Sequence, residues 1–178
     1  EEDDKGMGND DLVGKVQAQA PPTKSSPIGE IFYGYLMLCA NSFQPAMGYL
    51  YRALALQQSD PLLCLLCGVA SLGRSTNRQV DNRNHTIIQG MALFTHYAEL
   101  RGDIPEVDYN FARAYHHLNL VHLAVPRYER VLQRASSKAS KATFDMAREA
   151  AFNLAMIFTQ SGSPDLARHL YRTWLAVE

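Results

Sequence analysis

The sequence lacks the features that would place it in a membrane or give it an obvious chemistry. No apolar run reaches the roughly 18–20 residues that a transmembrane helix needs, and the first residues do not resemble a signal peptide. A glycine-rich phosphate loop, a nucleophile elbow and a catalytic carboxylate pair are also absent. An enzyme is therefore the class that the sequence supports least, and we expect neither a cofactor nor a small-molecule substrate.

Cysteine is scarce as well. The three cysteines cannot all pair with one another, and this fits a reducing compartment, the cytosol or the nucleus. Cys64 and Cys67 form a single C-x-x-C in an apolar stretch, and since zinc normally needs four ligands, we interpret them as packing residues. His116, His117 and His122 lack the i, i+4 spacing of two ligands on one helical face, so no metal site is predicted.

Charge divides the chain into two parts. Residues 1–27 contain six acidic and three basic side chains and are rich in Gly, Pro, Gln and Ser, which predicts an acidic, flexible linker or tail. Residues 28–178 contain 14 basic and 12 acidic side chains and the residues able to form a core. Because the first residue is not methionine, we also expect the chain to be a fragment.

Small residues recur twelve positions apart. Such a pair is needed where two antiparallel helices cross closely, and it is typical of the tetratricopeptide (TPR) repeat of about 34 residues. Apolar or aromatic residues follow the second small one by four and by seven positions, on the same helical face. The pairs are Gly34 and Ala46, Ala112 and Ala124, and Ala155 and Ala167; the later positions are Leu50 and Ala53, Tyr128 and Val131, and Tyr171 and Trp174. The sequence therefore predicts an all-α, TPR-type solenoid of about four helix-pair units, at 28–60, 61–102, 105–135 and 146–178.

Two insertions interrupt this pattern. Gly68 and Gly90 stand 22 residues apart instead of twelve, which places ten extra residues at the helix–helix corner of the second unit. Ala112 and Ala155 are 43 residues apart, which places nine extra residues around 136–144. Both insertions are predicted to avoid the helix faces.

Proline marks the expected helix starts. Pro27, Pro61 and Pro105 each stand where a first helix would begin, and Asp60 is a suitable N-cap for the helix at Pro61. Pro126 is predicted to lie in the first turn of a second helix, where proline is tolerated.

The first helix of each unit is expected to line a concave face. This face is apolar in its first half and polar and cationic in the middle, which suits an amphipathic helix or an extended peptide with hydrophobic anchors. For each side chain the alternative is contact with a neighbouring repeat. The predicted lining is Tyr35, Leu38, Leu62, Leu65, Val69, Tyr109, Arg113, His116, Phe152 and Met156.

The irregular second unit has the most specific motif. Residues 78–84 (RQVDNRN), which precede a Gln-Gly pair at 89–90, resemble the C-terminal TPR array of the TPR subunit of the RNA polymerase III transcription factor C complex. Residues 109–116 and 149–154 are similar to the last two repeats of that array. The resemblance covers about residues 28–178.

The resemblance implies a nuclear scaffold. Members of this family hold together a complex that recognises internal promoters of tRNA-type genes and help to place the initiation factor. It thus implies other subunits of that complex as partners, initiation-factor subunits as further ones, and only indirect contact with DNA. A TPR clamp for chaperone tails is disfavoured, because Lys138 and Lys141 are the only lysines of residues 28–178.

Two other interpretations remain open at this point. The chain could be a general TPR adaptor of another nuclear or cytosolic assembly, or its basic insertions could contact nucleic acid directly. The second is weaker, since a small net positive charge does not support strong DNA affinity. Its basic patch would comprise Arg74, Arg78, Arg83, Arg134, Lys138 and Lys141. The insertion loop (Arg78, Asp81, Asn82 and Arg83) is expected to cap the helix that starts near His85 and to pair an arginine with a carboxylate, the alternative being partner contact.

Overall fold

A computed structural model of the protein describes residues 26–136 and 146–176, and every regular element in these ranges is a helix. The predicted all-α class is therefore confirmed. The expected tail and the second insertion, with Lys138 and Lys141, lie outside the described residues except at their edges. The helices are α1 (Pro27–Cys39), α2 (Phe43–Leu56), α3 (Pro61–Ser75), α4 (Arg83–Arg101), α5 (Pro105–His117), α6 (Val121–Ser136), α7 (Ala147–Gln160) and α8 (Pro164–Leu170), which continues as a π-helical turn (Tyr171–Leu175).

The helices pack as successive pairs. α1 packs on α2, α3 on α4, α5 on α6 and α7 on α8, while α2–α3 and α6–α7 contacts join neighbouring pairs. The second and third pairs meet chiefly through large side chains, among them Phe94 of α4 and Phe111 of α5, whose ring centroids are 5.7 Å apart. Each pair thus buries its apolar face against the next, as expected of a helical-repeat fold.

The small residues lie where the helices cross. Ala46, Ala112 and Ala155 are completely buried. A Cβ atom added to Gly34 would lie 2.6 Å from Cγ of Leu50, so α1 and α2 can approach this closely only because residue 34 has no side chain. The crossing geometry that the twelve-residue spacing predicts is present.

Local signals mark several helix starts. Pro27, Pro61 and Pro105 occupy the first turns of α1, α3 and α5, as predicted. The carboxylate of Asp60 accepts hydrogen bonds from the backbone N–H groups of Leu62 and Leu63, at 2.8 and 3.2 Å, and so caps α3.

The prediction for Pro126 is wrong. Because α6 begins at Val121, Pro126 is its sixth residue and lies beyond the first turn. Proline has no N–H to donate, so the helix gives up the bond that would otherwise reach the carbonyl group of His122.

The end of the last helix also differs from expectation. The repeat register placed Tyr171 on the inner face, but Tyr171 is exposed and Leu170 is buried instead. Leu170 takes the inward position because it follows the buried Ala167 by three residues on the same helical face, and the chain changes to a π-helical turn only at the next residue, Tyr171. Trp174 still packs against the core.

Candidate functional site

A groove lies beside α3 and α5, where the second and third helix pairs meet. Its volume is about 460 Å³, and it is open to solvent along one side. The end of α1 and the corner between α1 and α2 complete its wall. The lining residues are Leu38, Asn41, Phe43, Leu65, Leu66, Val69, Leu72, Gly73, Phe94, Tyr109, Asn110, Arg113, Ala114 and His117.

Helical periodicity selects the residues that line the groove. Leu65 and Val69 are four positions apart on α3, and Tyr109 and Arg113 are four positions apart on α5, so each pair projects from one face of its helix. Residues such as Cys67 use the opposite face of α3 to form the core. One wall of the groove is therefore apolar, and the other combines an aromatic ring with a cation.

The structure brings together five of the ten predicted lining residues. Leu38, Leu65, Val69, Tyr109 and Arg113 all line the groove. His116 lies in an adjoining cleft of about 280 Å³, which it shares with Arg113, His117 and Asn153.

The other four predicted residues do not line the groove. These four side chains are exposed outside it. Tyr35 and Leu62 precede the groove residues Leu38 and Leu65 by about one helical turn, and Phe152 and Met156 belong to α7, from which no residue lines the groove. Whether any of the ten contacts a partner stays a prediction. The sequence reasoning missed Phe43, Asn110 and Asn153, although the position of Asn110 next to Tyr109 was a usable signal.

The cleft gives the groove a cationic end. Burial lowers the pKa of His116, and the nearby Arg113 and His117 lower it further, which favours the neutral form of the ring. The Tyr109 hydroxyl accepts a hydrogen bond of 3.3 Å from the side-chain amide of Asn153, which links α5 to α7. Arg113 is therefore the fixed positive charge of this end.

The ring of Tyr128, on α6, packs against two residues of the cationic end. Its ring packs edge-on against Tyr109 and His116, with centroids 6.1 and 6.2 Å away. Burial raises the pKa of Tyr128, and its hydroxyl has no hydrogen-bond partner among the described residues.

The insertion loop between α3 and α4 caps the following helix. The side chain of Asn82 accepts a hydrogen bond of 2.9 Å from the backbone N–H of His85, as expected, although α4 already begins at Arg83. The predicted pairing of Arg78 or Arg83 with a carboxylate is not found among the described residues. Both side chains, like Asp81, are exposed on the surface, where water screens such pairs.

Arg134 does not contribute to a free basic patch, contrary to the prediction. This side chain lies 2.6 Å from Asp103 and 3.7 Å from Asp108, so its charge is balanced within the protein. Asp108 is buried and also binds Arg127 at 2.7 Å and Arg130 at 3.1 Å. Arginines from α6 therefore hold α5 in place instead of forming a free phosphate-facing surface, which corrects the expectation for Arg134.

The two cysteines of the C-x-x-C pair have a packing role in the structure. Cys64 and Cys67 are buried, and burial together with the nearby Cys64 raises the pKa of Cys67 to about 12. Within 26–136 and 146–176, no three His, Cys, Asp or Glu side chains converge as metal ligands. In the same ranges no helix has the length and apolarity needed to cross a membrane.

Comparison with known proteins gives relatives over most of the chain. The chain is 34% identical over 182 aligned residues to transcription factor tau subunit sfc4 of Schizosaccharomyces pombe, covering 94% of the chain. It is 31% identical to the transcription factor tau 131 kDa subunit of Saccharomyces cerevisiae and 27% identical to human general transcription factor 3C polypeptide 3, over 88% and 83% of the chain. The chain spans 18%, 15% and 17% of the lengths of these three curated relatives. No protein-family model matches.

Proposed function

Since the chain is a relative of the TPR subunits of the RNA polymerase III transcription factor C complex, we propose that it is a protein-binding segment of a scaffold in that complex. In this role it holds other subunits together for promoter recognition and for recruitment of the initiation factor at tRNA-type genes. The predicted nuclear location agrees with the names of the relatives, which are all transcription factors.

The groove is the observation that carries this proposal. A repeat array with a solvent-open, largely apolar groove of about 460 Å³ can accept side chains of another polypeptide without rearranging its core. Val69 is 41% exposed there, although valine usually lies in the interior. Covering such a side chain with a partner contributes favourable free energy of binding.

We propose binding and not catalysis as the activity. The relatives are transcription factor subunits and not known enzymes. The expected partners are other subunits of the complex and, as further ones, initiation-factor subunits, while contact with DNA is indirect. Asp103 neutralises Arg134, so fewer free cations are left to bind phosphates. This supports protein partners over direct binding to nucleic acid.

Capture of purified subunits tests the proposal. The immobilised chain is incubated separately with each of the other subunits of the transcription factor C complex and of the initiation factor. The Val69→Asp variant places a charge in the apolar wall and should lose at least nine-tenths of the captured subunit. Ile88→Asp is the matched control, because Ile88 is 68% exposed on α4 and does not line the groove.

Two results would count against the proposal. If Val69→Asp and Ile88→Asp capture as much subunit as the unmodified chain, the groove is not the binding surface. If no subunit binds the unmodified chain, whereas unrelated nuclear or cytosolic proteins do, the chain is a general TPR adaptor.

A further inference from the structure

Arg113 on α5, unlike the three arginines of the paired helix α6, has no carboxylate within ion-pair distance among the described residues. Arg101, Arg127, Arg130 and Arg134 each lie within ion-pair distance of Asp or Glu. No ion pair involves Arg113 among the described residues, although this exposed residue lines both the groove and the cleft. An unpaired guanidinium can still form two parallel hydrogen bonds to a carboxylate.

The surroundings of Arg113 contain no acidic group. Neither the lining of the groove nor that of the cleft includes Asp or Glu among the described residues. Asn110 and Asn153 add polar side chains, and His117 is exposed beside them. The positive charge of Arg113 therefore faces no carboxylate in this lining, and it favours a negative group on the bound molecule.

The side chains beside Arg113 are packed on helices and not on a loop. Tyr128 is completely buried, and its ring is held between Tyr109 and His116. The Tyr109 hydroxyl is in turn bonded to Asn153 of the next helix pair. An anchor built on packed helices keeps its geometry better than one built on a loop.

We propose that the groove binds a partner segment in which an acidic side chain follows or precedes an apolar one within about one helical turn. The apolar side chain would pack against Leu65 and Val69, and the Asp or Glu carboxylate would bind Arg113. This inference rests on the proposed function and specifies the chemistry of the partner. A peptide is favoured over nucleic acid, because the lining is mainly apolar and a single cation neutralises too few phosphates for strong binding.

A peptide array identifies the bound sequence. Overlapping 20-residue peptides from the other transcription factor C subunits are probed with the chain, and the best binders are labelled with fluorescein and titrated by fluorescence anisotropy. Each binder is also made with every Asp and Glu replaced by Asn and Gln. We expect the binders to combine Asp or Glu with Leu, Ile, Phe or Met, and the amide versions to bind about tenfold more weakly.

Variants of Arg113 assign the charge effect to one side chain. Arg113→Gln should weaken binding of the acidic peptides about tenfold and leave the affinity for the amide versions unchanged, while Arg113→Lys should recover part of the loss. Arg148→Gln is the matched control, because Arg148 is exposed on α7 and lines neither the groove nor the cleft. Raising NaCl from 50 to 500 mM should weaken the unmodified chain several-fold and Arg113→Gln much less.

The outcomes separate this inference from the proposed function. If Val69→Asp abolishes peptide binding and Arg113→Gln does not change it, the groove binds partners but the acidic anchor is wrong. If neither substitution changes binding, both proposals fail. If only a peptide of residues 1–20 of the chain itself binds, or only a tRNA-gene DNA duplex does, the occupant is not an acidic partner segment and the inference is overturned.

Discussion

Replacing Asp108 with asparagine is the sharpest perturbation that the structure suggests. Asp108 is almost completely buried on α5, and its carboxylate lies 2.7 Å from Arg127, 3.1 Å from Arg130 and 3.7 Å from Arg134, all on α6. Asparagine keeps the shape of the side chain but removes the charge that balances these arginines. One of its two polar atoms also becomes a donor that faces other donors.

The expected loss follows from this geometry. Breaking a buried ion pair costs about 3–5 kcal/mol, and a single hydrogen bond to a charged group contributes about 1.5–3 kcal/mol. The arginine side chains are 25–45% exposed and stay partly hydrated, so we expect Asp108→Asn to lower the free energy of unfolding by about 2–4 kcal/mol. This corresponds to a melting temperature lower by about 4–16 °C for a chain of this size.

Urea titration and thermal melting of the chain, followed by circular dichroism, measure the effect. Asp103→Asn is the matched control, because Asp103 binds Arg130 and Arg134 of the same network but its side chain is 74% exposed. This control should leave the unfolding midpoint nearly unchanged. If Asp108→Asn is as stable as the unmodified chain, or if both variants lose equal stability, burial does not determine the strength of this network.

Three further predictions concern packing and burial. In urea titration, Gly68→Ala should be less stable than the control Gly48→Ala by about 1–3 kcal/mol. Both substitutions remove a helical glycine, but only at Gly68 would the added Cβ lie 2.7 Å from the ring of Phe94. Equal stability of the two variants would contradict the close crossing of α3 and α4. Tyr128→Phe should leave the free energy of unfolding unchanged or raise it by about 1 kcal/mol, since it removes a buried hydroxyl without a partner, whereas a clear loss would reveal a bond to that hydroxyl. At pH 8 a thiol reagent should modify the exposed Cys39 in the folded chain and reach Cys64 and Cys67 only after unfolding, as measured by mass spectrometry. Both of these cysteines are buried, and burial raises the pKa of Cys67 to about 12, so little reactive thiolate forms. Rapid labelling of Cys67 in the native chain would show that α3 opens readily.

The repeat framework could be predicted from the sequence because it depends on local spacing. Gly34 and Ala46 are twelve residues apart in the chain; Gly34 lies against Leu50 where α1 and α2 cross, and Ala46 is completely buried on α2, so the small size of both residues reflects the close packing of the two helices. The helix starts at Pro27, Pro61 and Pro105 depend on neighbouring residues only, and they too were predicted. The π-helical turn at Tyr171 has no such local signal, and the inner-face position predicted for Tyr171 is taken by Leu170.

The candidate site was only half predictable because it depends on contacts distant in sequence. Periodicity identified Leu65, Val69 and Arg113, but it could not show that Phe152 lies on a helix face outside the groove. Arg134 was assigned to a basic patch because Asp103, its partner, is 31 residues earlier in the chain. Spacing along one helix reveals which residues share a face, whereas the neighbour of that face is set by the packing of other helices.

Photo-crosslinking from the groove tests the central claim most directly. A benzoylphenylalanine replaces Val69 in the chain, and the chain is mixed with the other transcription factor C subunits, irradiated and analysed by mass spectrometry; the same amino acid at Ile88 serves as the comparison. The proposed function predicts crosslinks from position 69 to a defined segment of another subunit, rich in apolar and acidic residues, and few from position 88. Crosslinks from position 88 but none from position 69 would show that partners bind a different face and that the groove is not the binding site.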